Sequence, residues 1–124
     1  MWEPAIRPRR RHERGVMNKV EHAYAELLAI KAHQQEILVA RFECVKLRLA
    51  DDTTFTPDFL VTYPDHFEFH EVKPTKRDKK TGRETPYFEE DARIKLKVAA
   101  EQYPEFLFVT VWKTHDGWQR EEFR

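Results

Sequence analysis

The sequence predicts a single α/β domain in which a mixed central β-sheet is flanked by helices, in the order α-β-β-β-α-β-β. Apolar residues recur at helical spacing in two segments, and segments with the alternating pattern of strands follow each of them. The chain has 124 residues, which is the usual size of one domain and is long enough for one compact core. These observations favour one folded domain over residues 18–124.

The composition indicates a polar-surfaced protein of a reducing compartment. Charged residues make up 35% of the chain and the formal net charge is zero, so the overall charge does not indicate nucleic acid as a partner. A single cysteine, Cys44, excludes an internal disulfide framework. No apolar run approaches the ~20 residues of a membrane span, and no signal-peptide pattern follows the start. We therefore expect an intracellular, cytoplasmic protein with no membrane partner.

Residues 1–17 are predicted to form a flexible basic arm, because Pro4, Pro8 and the run Arg9–Arg11 interrupt any regular pattern. A basic arm suits contact with phosphates, since each neutralised phosphate releases counterions. The alternative is a disordered leader upstream of a translation start at Met17. The pattern leaves both interpretations open.

The first helix is predicted from Asn18 to about His33. Asn18 is a favoured N-cap, and Glu21 three positions later completes a capping-box pair. An apolar stripe then follows at helical spacing, and it consists of Val20, Tyr24, Leu27 and Leu28.

One antiparallel strand is predicted over residues 36–49. Val45, Leu47 and Leu49 fall on one face, while the residues between them are polar or small and face solvent. Residues 50–53 form a turn.

A β-hairpin is predicted next, with arms over residues 55–63 and 66–73 joined by Pro64 and Asp65. Symmetric closure about that pair places Asp58 opposite Glu71, with Cβ atoms about 4.5–5.5 Å apart. Two carboxylates so close repel each other, and a divalent cation such as Mg²⁺ or Mn²⁺ removes the repulsion. Lys73 shares the face of Glu71, because side chains two apart on a strand point the same way.

The alternative for these residues is a solvated strand edge with a surface ion pair between Glu71 and Lys73, which contributes little, about 0–1 kcal/mol. Phe67 and Phe69 share the face of Glu71, however. Placing acids at the end of an apolar face is costly, so the pattern favours a functional site.

A basic loop is predicted over residues 74–90, where the periodicity stops. Such a long connection is often functional, and this one leaves directly from the hairpin, where it could contact a DNA backbone. The alternative is a solvated insertion. Its cations are Lys76, Arg77, Lys79, Lys80 and Arg83.

The second helix is predicted from an N-cap at Asp91 to about Tyr103, before Pro104. Arg93 and Lys97 lie four apart on one exposed face, with Lys95 to one side; they either contact phosphate or form a solvated face. Residues 106–112 then form a buried central strand, and residues 118–123 an edge strand after a turn at Asp116–Gly117. His66 and His70 lie four apart on a strand, a spacing that makes no compact metal chelate.

Three features of the sequence resemble the PD-(D/E)xK nuclease superfamily: Pro57–Asp58, twelve intervening residues, and Glu71–Val72–Lys73. The resemblance runs from about Asn18 to the C-terminus. The chain most resembles a small phage-borne family close to the Holliday junction resolvase-like endonucleases. The stretches that carry this resemblance cover residues 18–21, 45–49, 56–59 and 91–95.

The resemblance implies a restriction-endonuclease-like core and a Mg²⁺- or Mn²⁺-dependent DNA endonuclease, structure-specific in action and working on branched or duplex DNA as a homodimer. It places Asp58, Glu71, the Val72 carbonyl and Glu21 at the metal. Lys73 would orient the attacking water and offset charge on the phosphate. Arg93, Lys95 and Lys97 would contact DNA, as would the cations of the 74–90 segment. Glu21 has a second interpretation as a helix cap alone. The competing functions are a non-catalytic nucleic-acid-binding or assembly protein and an interaction domain with a fortuitous motif.

Overall fold

The computed structural model describes residues 15–124, so the predicted arm lies outside the described residues except for its last three. Two of these three contact the fold. The backbone N–H of Gly15 donates a hydrogen bond to Glu43 Oε1 at 2.7 Å, and Met17 packs against the core. The folded domain therefore begins a few residues earlier than the sequence predicts.

Helix α1 spans Lys19–His33 and confirms the predicted start and end. The capping box is present: the N–H of Glu21 donates to Asn18 Oδ1 at 2.8 Å, and the N–H of Asn18 donates to Glu21 Oε1 at 3.0 Å. Tyr24 and Leu28 are buried. The two reciprocal bonds satisfy backbone donors that the first helical turn would otherwise leave without partners.

The single strand predicted over residues 36–49 is wrong, because the chain forms two strands there. Strand β1 spans Val39–Phe42 and β2 spans Leu47–Ala50. Glu43, with a φ of 46°, adopts a left-handed backbone conformation after β1 and turns the chain out of the sheet. Strand β2 pairs with β3, Thr53–Phe55, as a separate two-stranded sheet. The predicted alternation holds within β2, where Leu47 and Leu49 are buried.

The predicted hairpin is confirmed, but its first arm is shorter than predicted, because Phe55 lies in β3, which pairs with β2. Strand β4 spans Phe59–Thr62 and β5 spans Phe67–Val72. They pair with the predicted register, from Phe59 opposite His70 to Thr62 opposite Phe67.

The predicted 74–90 loop is instead largely a second hairpin. Strand β6 spans Thr75–Arg77 and pairs with β7, Glu84–Pro86. The period-two signal was missed because each strand has only three residues, too few to show alternation.

Helix α2 spans Ala92–Gln102, close to the prediction, and buries Leu96, Ala99 and Ala100. Its predicted cap is wrong. Asp91 has a φ of 55° and its side chain makes no capping hydrogen bond, because a left-handed residue directs its side chain away from the first-turn N–H groups.

The main sheet is mixed, with the strand order β1-β4-β5-β8-β9. Strand β8 spans Leu107–Thr114 and β9 spans Gly117–Phe123; the first is central and the second lies at the edge, as predicted. Strands β5 and β8 are parallel, and the other neighbours are antiparallel. The structure is thus α/β with helices against a mixed sheet, but the described residues contain nine strands rather than the predicted five.

Each face of the main sheet carries its own core. Helix α1 packs on one face, where Tyr24 and Leu28 meet Phe59, Val72 and other apolar side chains. Helix α2, together with β2, covers the other face, where Leu96 meets Phe69 and Phe108. Within the described part of the chain, no helix is long and apolar enough to cross a membrane.

Candidate active site

Asp58 and Glu71 meet where β4 begins and β5 ends. The ladder pairs Phe59 with His70, so Asp58, one residue earlier, faces Glu71. The backbone N–H of Asp58 donates to Glu71 Oε1 at 3.0 Å, and the N–H of Val72 donates to Asp58 Oδ2 at 2.8 Å. Each carboxyl group is therefore held by the backbone of the opposite strand, as the predicted register requires.

Glu21 reaches the same place from the first turn of α1. Its residue surface is only 5% exposed, and its carboxyl group forms a hydrogen bond with that of Asp58. The same side chain caps the helix. Glu21 therefore makes both of the contacts that were predicted as alternatives, with the helix N-terminus and with the hairpin acids.

Lys73 completes the group. Its ammonium lies 3.5 Å from Glu71 Oε2, and its side chain is 16% exposed. The ammonium also lies over the ring of Phe88, at 5.9 Å from the centroid. The structure thus brings together the four side chains that the sequence predicts at the site, Glu21, Asp58, Glu71 and Lys73. It adds Phe88, which the sequence analysis did not predict there.

A row of polar side chains continues across the sheet from Glu71. Thr110 of β8 is the ladder partner of Glu71, and Glu121 of β9 is the next. Ladder partners share a face, here the α2 face. Thr110 is fully buried, and its hydroxyl has no hydrogen-bond partner among the described residues. A buried hydroxyl without a partner is rare and calls for an explanation.

The carboxyl groups are electrostatically strained. Burial raises the pKa of Asp58 well above its usual value; the neighbouring charges of Glu71 and Glu21 raise it further, and the Val72 N–H opposes them. Burial also raises the pKa of Glu71, against the nearby Lys73 ammonium. Each shift means that removing a proton from this cluster costs more than it does in water.

The donor atoms suit a hard divalent cation, since all are carboxylate oxygens. Residues 15–124 nevertheless hold no group of three or more His, Cys, Asp or Glu side chains arranged as a preformed metal site. Asp58, Glu71 and Glu21 each accept a hydrogen bond from a backbone N–H at one carboxyl oxygen. The raised pKa values and the partnerless Thr110 hydroxyl fit a site that a hydrated cation would complete.

Arg93 is engaged within the protein. Its guanidinium forms two hydrogen bonds with the Glu121 carboxylate, at 3.1 and 2.6 Å. It also lies over the rings of Phe88 and Phe123, about 5 Å from each centroid. Since Glu121 lies in the same row as Glu71, Arg93 is near the candidate site, but contact with a phosphate would require exchange of its carboxylate partner.

The other predicted DNA-binding residues lie in two places. Lys95 approaches the carbonyl of Thr54 at 3.5 Å, and Lys97 lines an open groove beside Glu101 and Glu121. The cations of the 74–90 segment lie on the β6–β7 hairpin and are exposed. The acids of the candidate site line neither this groove nor the second groove, which includes His66 and Phe106.

A buried polar network on the α1 face escaped the sequence analysis. The Tyr24 hydroxyl lies 2.6 Å from His70 Nδ1, and His70 Nε2 lies 2.7 Å from Glu68. His66 and Arg120 also contact the Glu68 carboxylate, at 2.7 and 3.3 Å. Glu68 and His70 alternate with Phe67, Phe69 and Glu71, so the period of the strand could have placed them together on the face opposite the acids.

The protonation states within this network follow from its charges. Burial acts to raise the pKa of Glu68, but hydrogen bonds from His70 and His66 and the charge of Arg120 outweigh it and lower the pKa to about 2. Burial lowers the pKa of His70 in spite of that carboxylate. Neutral His70 therefore donates from Nε2 to Glu68 and accepts the Tyr24 hydroxyl at Nδ1.

Comparison with known proteins identifies no relative for this chain. No family model matches it, and neither a curated protein nor a solved structure is similar to it. The resemblance to the PD-(D/E)xK superfamily therefore stays a prediction from motif and spacing.

Proposed function

We propose that this protein is a divalent-metal-dependent DNA endonuclease with an active site of the PD-(D/E)xK type. The observation that carries the proposal is the cluster of Asp58, Glu71 and Glu21, with the Lys73 ammonium beside Glu71. Buried acids with raised pKa values, here Asp58 and Glu71, are common at catalytic sites.

The architecture supports the proposal. An α/β sheet with a helix on each face is compatible with the restriction-endonuclease-like core that the resemblance implies. The acids lie on the two strands and the first helix that the resemblance specifies.

In the proposed reaction, Asp58, Glu71, Glu21 and the main-chain carbonyl of Val72 would hold Mg²⁺ or Mn²⁺. When bound, such an ion polarises the scissile phosphate and makes a bound water more acidic. The Lys73 ammonium orients the water and offsets the negative charge that develops on the phosphate oxygens. The Thr110 hydroxyl beside Glu71 supplies a further hydrogen bond for solvent in the site.

The proposed substrate is branched DNA, cut by a resolvase-like homodimer. The described residues form one domain without a separate base-reading module, and discrimination of sequence depends on contacts with base edges. A two-fold dimer presents two sites to two strands, which suits paired cuts at a junction.

A second candidate function is a non-catalytic protein that binds nucleic acid and keeps the same fold. The observation that favours it is the engagement of each acid with a backbone N–H and the lack of a preformed three-ligand group within residues 15–124. It predicts DNA binding that is unaffected by the metal.

The first test is cleavage of a labelled four-way junction, with matched duplex, flap and single-stranded DNA, in Mg²⁺, Mn²⁺ or EDTA. Asp58→Ala and Lys73→Ala are expected to lower the rate at least about 10²-fold, since each removes a charge that acts in the transition state. Both variants are expected to fold.

Asp65→Ala is the matched control, because Asp65 is an exposed acid at the other end of the same hairpin. It is expected to cut at the wild-type rate. Wild-type rates for Asp58→Ala or Lys73→Ala would overturn the proposed site, and binding without cutting in either metal would favour the non-catalytic function.

A further inference from the structure

The hairpin that follows Lys73, residues 75–86, carries a high density of positive charge, although the whole protein has a formal net charge of zero. We call it the β6–β7 ribbon. It carries two carboxylates and five cations, and the cations are Lys76, Arg77, Lys79, Lys80 and Arg83.

The two carboxylates of the ribbon also hold its structure, and because five cations stand against them the ribbon keeps a formal charge of +3. Asp78 Oδ1 accepts hydrogen bonds from the backbone N–H groups of Lys80 and Thr81, at 2.7 and 3.1 Å. Glu84 is hydrogen-bonded to His115. Within residues 15–124, none of the five ribbon cations forms an ion pair.

The tip of the ribbon is a closed turn. The N–H of Asp78 donates to the carbonyl of Arg83 at 2.9 Å, and the N–H of Gly82 donates to the carbonyl of Asp78 at 2.8 Å. Gly82 has a φ of +74°, a conformation that favours glycine. Lys79 and Lys80 project from this turn and are exposed.

The base of the ribbon is fastened to β8 and the turn after it. The Thr75 hydroxyl donates to the carbonyl of Lys113 at 2.6 Å, and Trp112 Nε1 donates to the carbonyl of Glu84 at 3.3 Å. The N–H of Tyr87 closes the hairpin on the carbonyl of Pro74 at 2.8 Å. Because Pro74 follows Lys73 directly, the ribbon leaves the protein at the candidate active site.

We infer that the β6–β7 ribbon enters the major groove of B-form DNA and so docks a double-helical arm against the active site. The inference rests on the proposed nuclease function and narrows its substrate to duplex regions. A two-stranded β-ribbon fits the major groove, which is about 12 Å wide. Cations at a rigid tip contact the phosphates on its two sides at little cost in conformational entropy. The deep, narrow major groove of double-stranded RNA excludes the same element.

The test measures binding without cleavage. Full-length protein with Asp58→Ala, in EDTA, is titrated into a fluorescent duplex, its single strand and the matching double-stranded RNA over a range of salt concentrations. Adding Lys79→Ala and Lys80→Ala is expected to reduce the slope of log affinity against log salt by about 1.8 for the duplex, which is two phosphate contacts. Affinity for the duplex at 0.1 M salt is expected to fall roughly tenfold or more.

The matched control carries Lys31→Ala and Arg124→Ala, which remove the same formal charge at the opposite end of the sheet. It is expected to keep the salt slope. Lys79→Arg with Lys80→Arg is expected to restore binding, because phosphate contact requires charge. Circular dichroism verifies that every variant folds.

The inference would be overturned if the ribbon and control variants lost the same affinity for duplex DNA. It would also be overturned if the ribbon variant lost affinity equally for duplex DNA, single-stranded DNA and double-stranded RNA. The nuclease proposal is tested separately. If the protein binds duplex DNA through the ribbon but never cuts it, the inference about the ribbon stands and the nuclease proposal fails. If the protein cuts DNA in a metal-dependent way and the ribbon variants cut and bind as well as wild type, the nuclease proposal stands and the inference fails.

Discussion

The acids of the candidate site differ from the exposed acids of the protein because their carboxyl groups are buried. Exposed acids such as Asp65 and Asp78 have lowered pKa values; that of Asp65 is lowered by a hydrogen bond from His66. Asp58 and Glu71 differ because burial raises their pKa values. Because the protonated forms are favoured at such a site, a rise in pH is destabilising there, and we expect a bound cation to be stabilising.

The pH dependence of stability tests this directly. Since the pKa of Asp58 is higher in the folded than in the unfolded protein, its protonated form favours folding, and that stability is lost as the pH rises from about 3.8 through the folded-state pKa. The unfolding free energy of metal-free wild type is therefore expected to fall relative to Asp58→Asn across this window, by up to about 1.4 kcal/mol per pH unit. Urea unfolding in EDTA at several pH values measures it.

Asp65→Asn is the control, because the pKa of Asp65 is lowered and the effect on stability has the opposite sign. A difference between wild type and Asp58→Asn that does not change with pH would contradict the electrostatic account of the site.

At the scale of elements, α1 and β5 are joined by more than apolar packing. Helix α1 carries Glu21, and one turn later Tyr24 contacts His70, the residue before Glu71. The rings of Tyr24 and Trp118 also pack together, with centroids 4.8 Å apart. The hydrogen bond fixes the helix on the strand near the point where their acids meet.

Tyr24→Phe isolates this hydrogen bond, since it keeps the ring and removes only the hydroxyl. His70 Nδ1 would then be a buried acceptor without a partner, so the free energy of unfolding is expected to fall by about 1–3 kcal/mol. Tyr103→Phe is the comparison, because the Tyr103 hydroxyl donates to the carbonyl of Arg48 in an exposed position where water replaces it. Equal effects of the two changes in urea unfolding would argue against a special role for the α1–β5 network.

The whole molecule keeps its candidate site at one end of the sheet. The start of α1, the start of β4, the end of β5 and the base of the β6–β7 ribbon meet there, while the turn at Pro64–Asp65 lies at the other end. Acids from α1 and from the hairpin, which are distant in sequence, thus converge beside the base of the ribbon. A divalent ion that binds there would stabilise the whole fold, because the site exists only when these elements are assembled.

Thermal unfolding with and without Mg²⁺ measures that coupling. At a concentration ten times its dissociation constant, Mg²⁺ is expected to add about 1.4 kcal/mol to stability and to raise Tm by roughly 3–8 °C for a domain of this size. Asp58→Ala is expected to lose the shift and Asp65→Ala to keep it, at equal ionic strength. The same Tm for wild type in Mg²⁺ and in EDTA would contradict the metal site.

Local chemistry decided the features that the sequence predicts well. The bounds of α1 follow from the Asn18–Glu21 capping box and an apolar stripe, all within a few residues of one another. The register of the β4–β5 hairpin follows from its turn at Pro64–Asp65 and from period-two alternation. Those two features bring Asp58 opposite Glu71 and put Lys73 on the face of Glu71, so the core of the candidate site could be predicted without a structure.

Tertiary structure decided the features that depend on backbone reversal or on distant partners. Left-handed conformations at Glu43 and Asp91 split the predicted strand and removed the predicted cap, and neither residue type demands that conformation. Arg93 and Glu121 lie 28 positions apart, and Tyr24 and His70 lie 46 positions apart, so no local pattern encodes either contact. The sequence by itself therefore determined which acids face each other, and only the packing of α1 and α2 on the two faces of the sheet decided which charges are neutralised and which remain for a ligand.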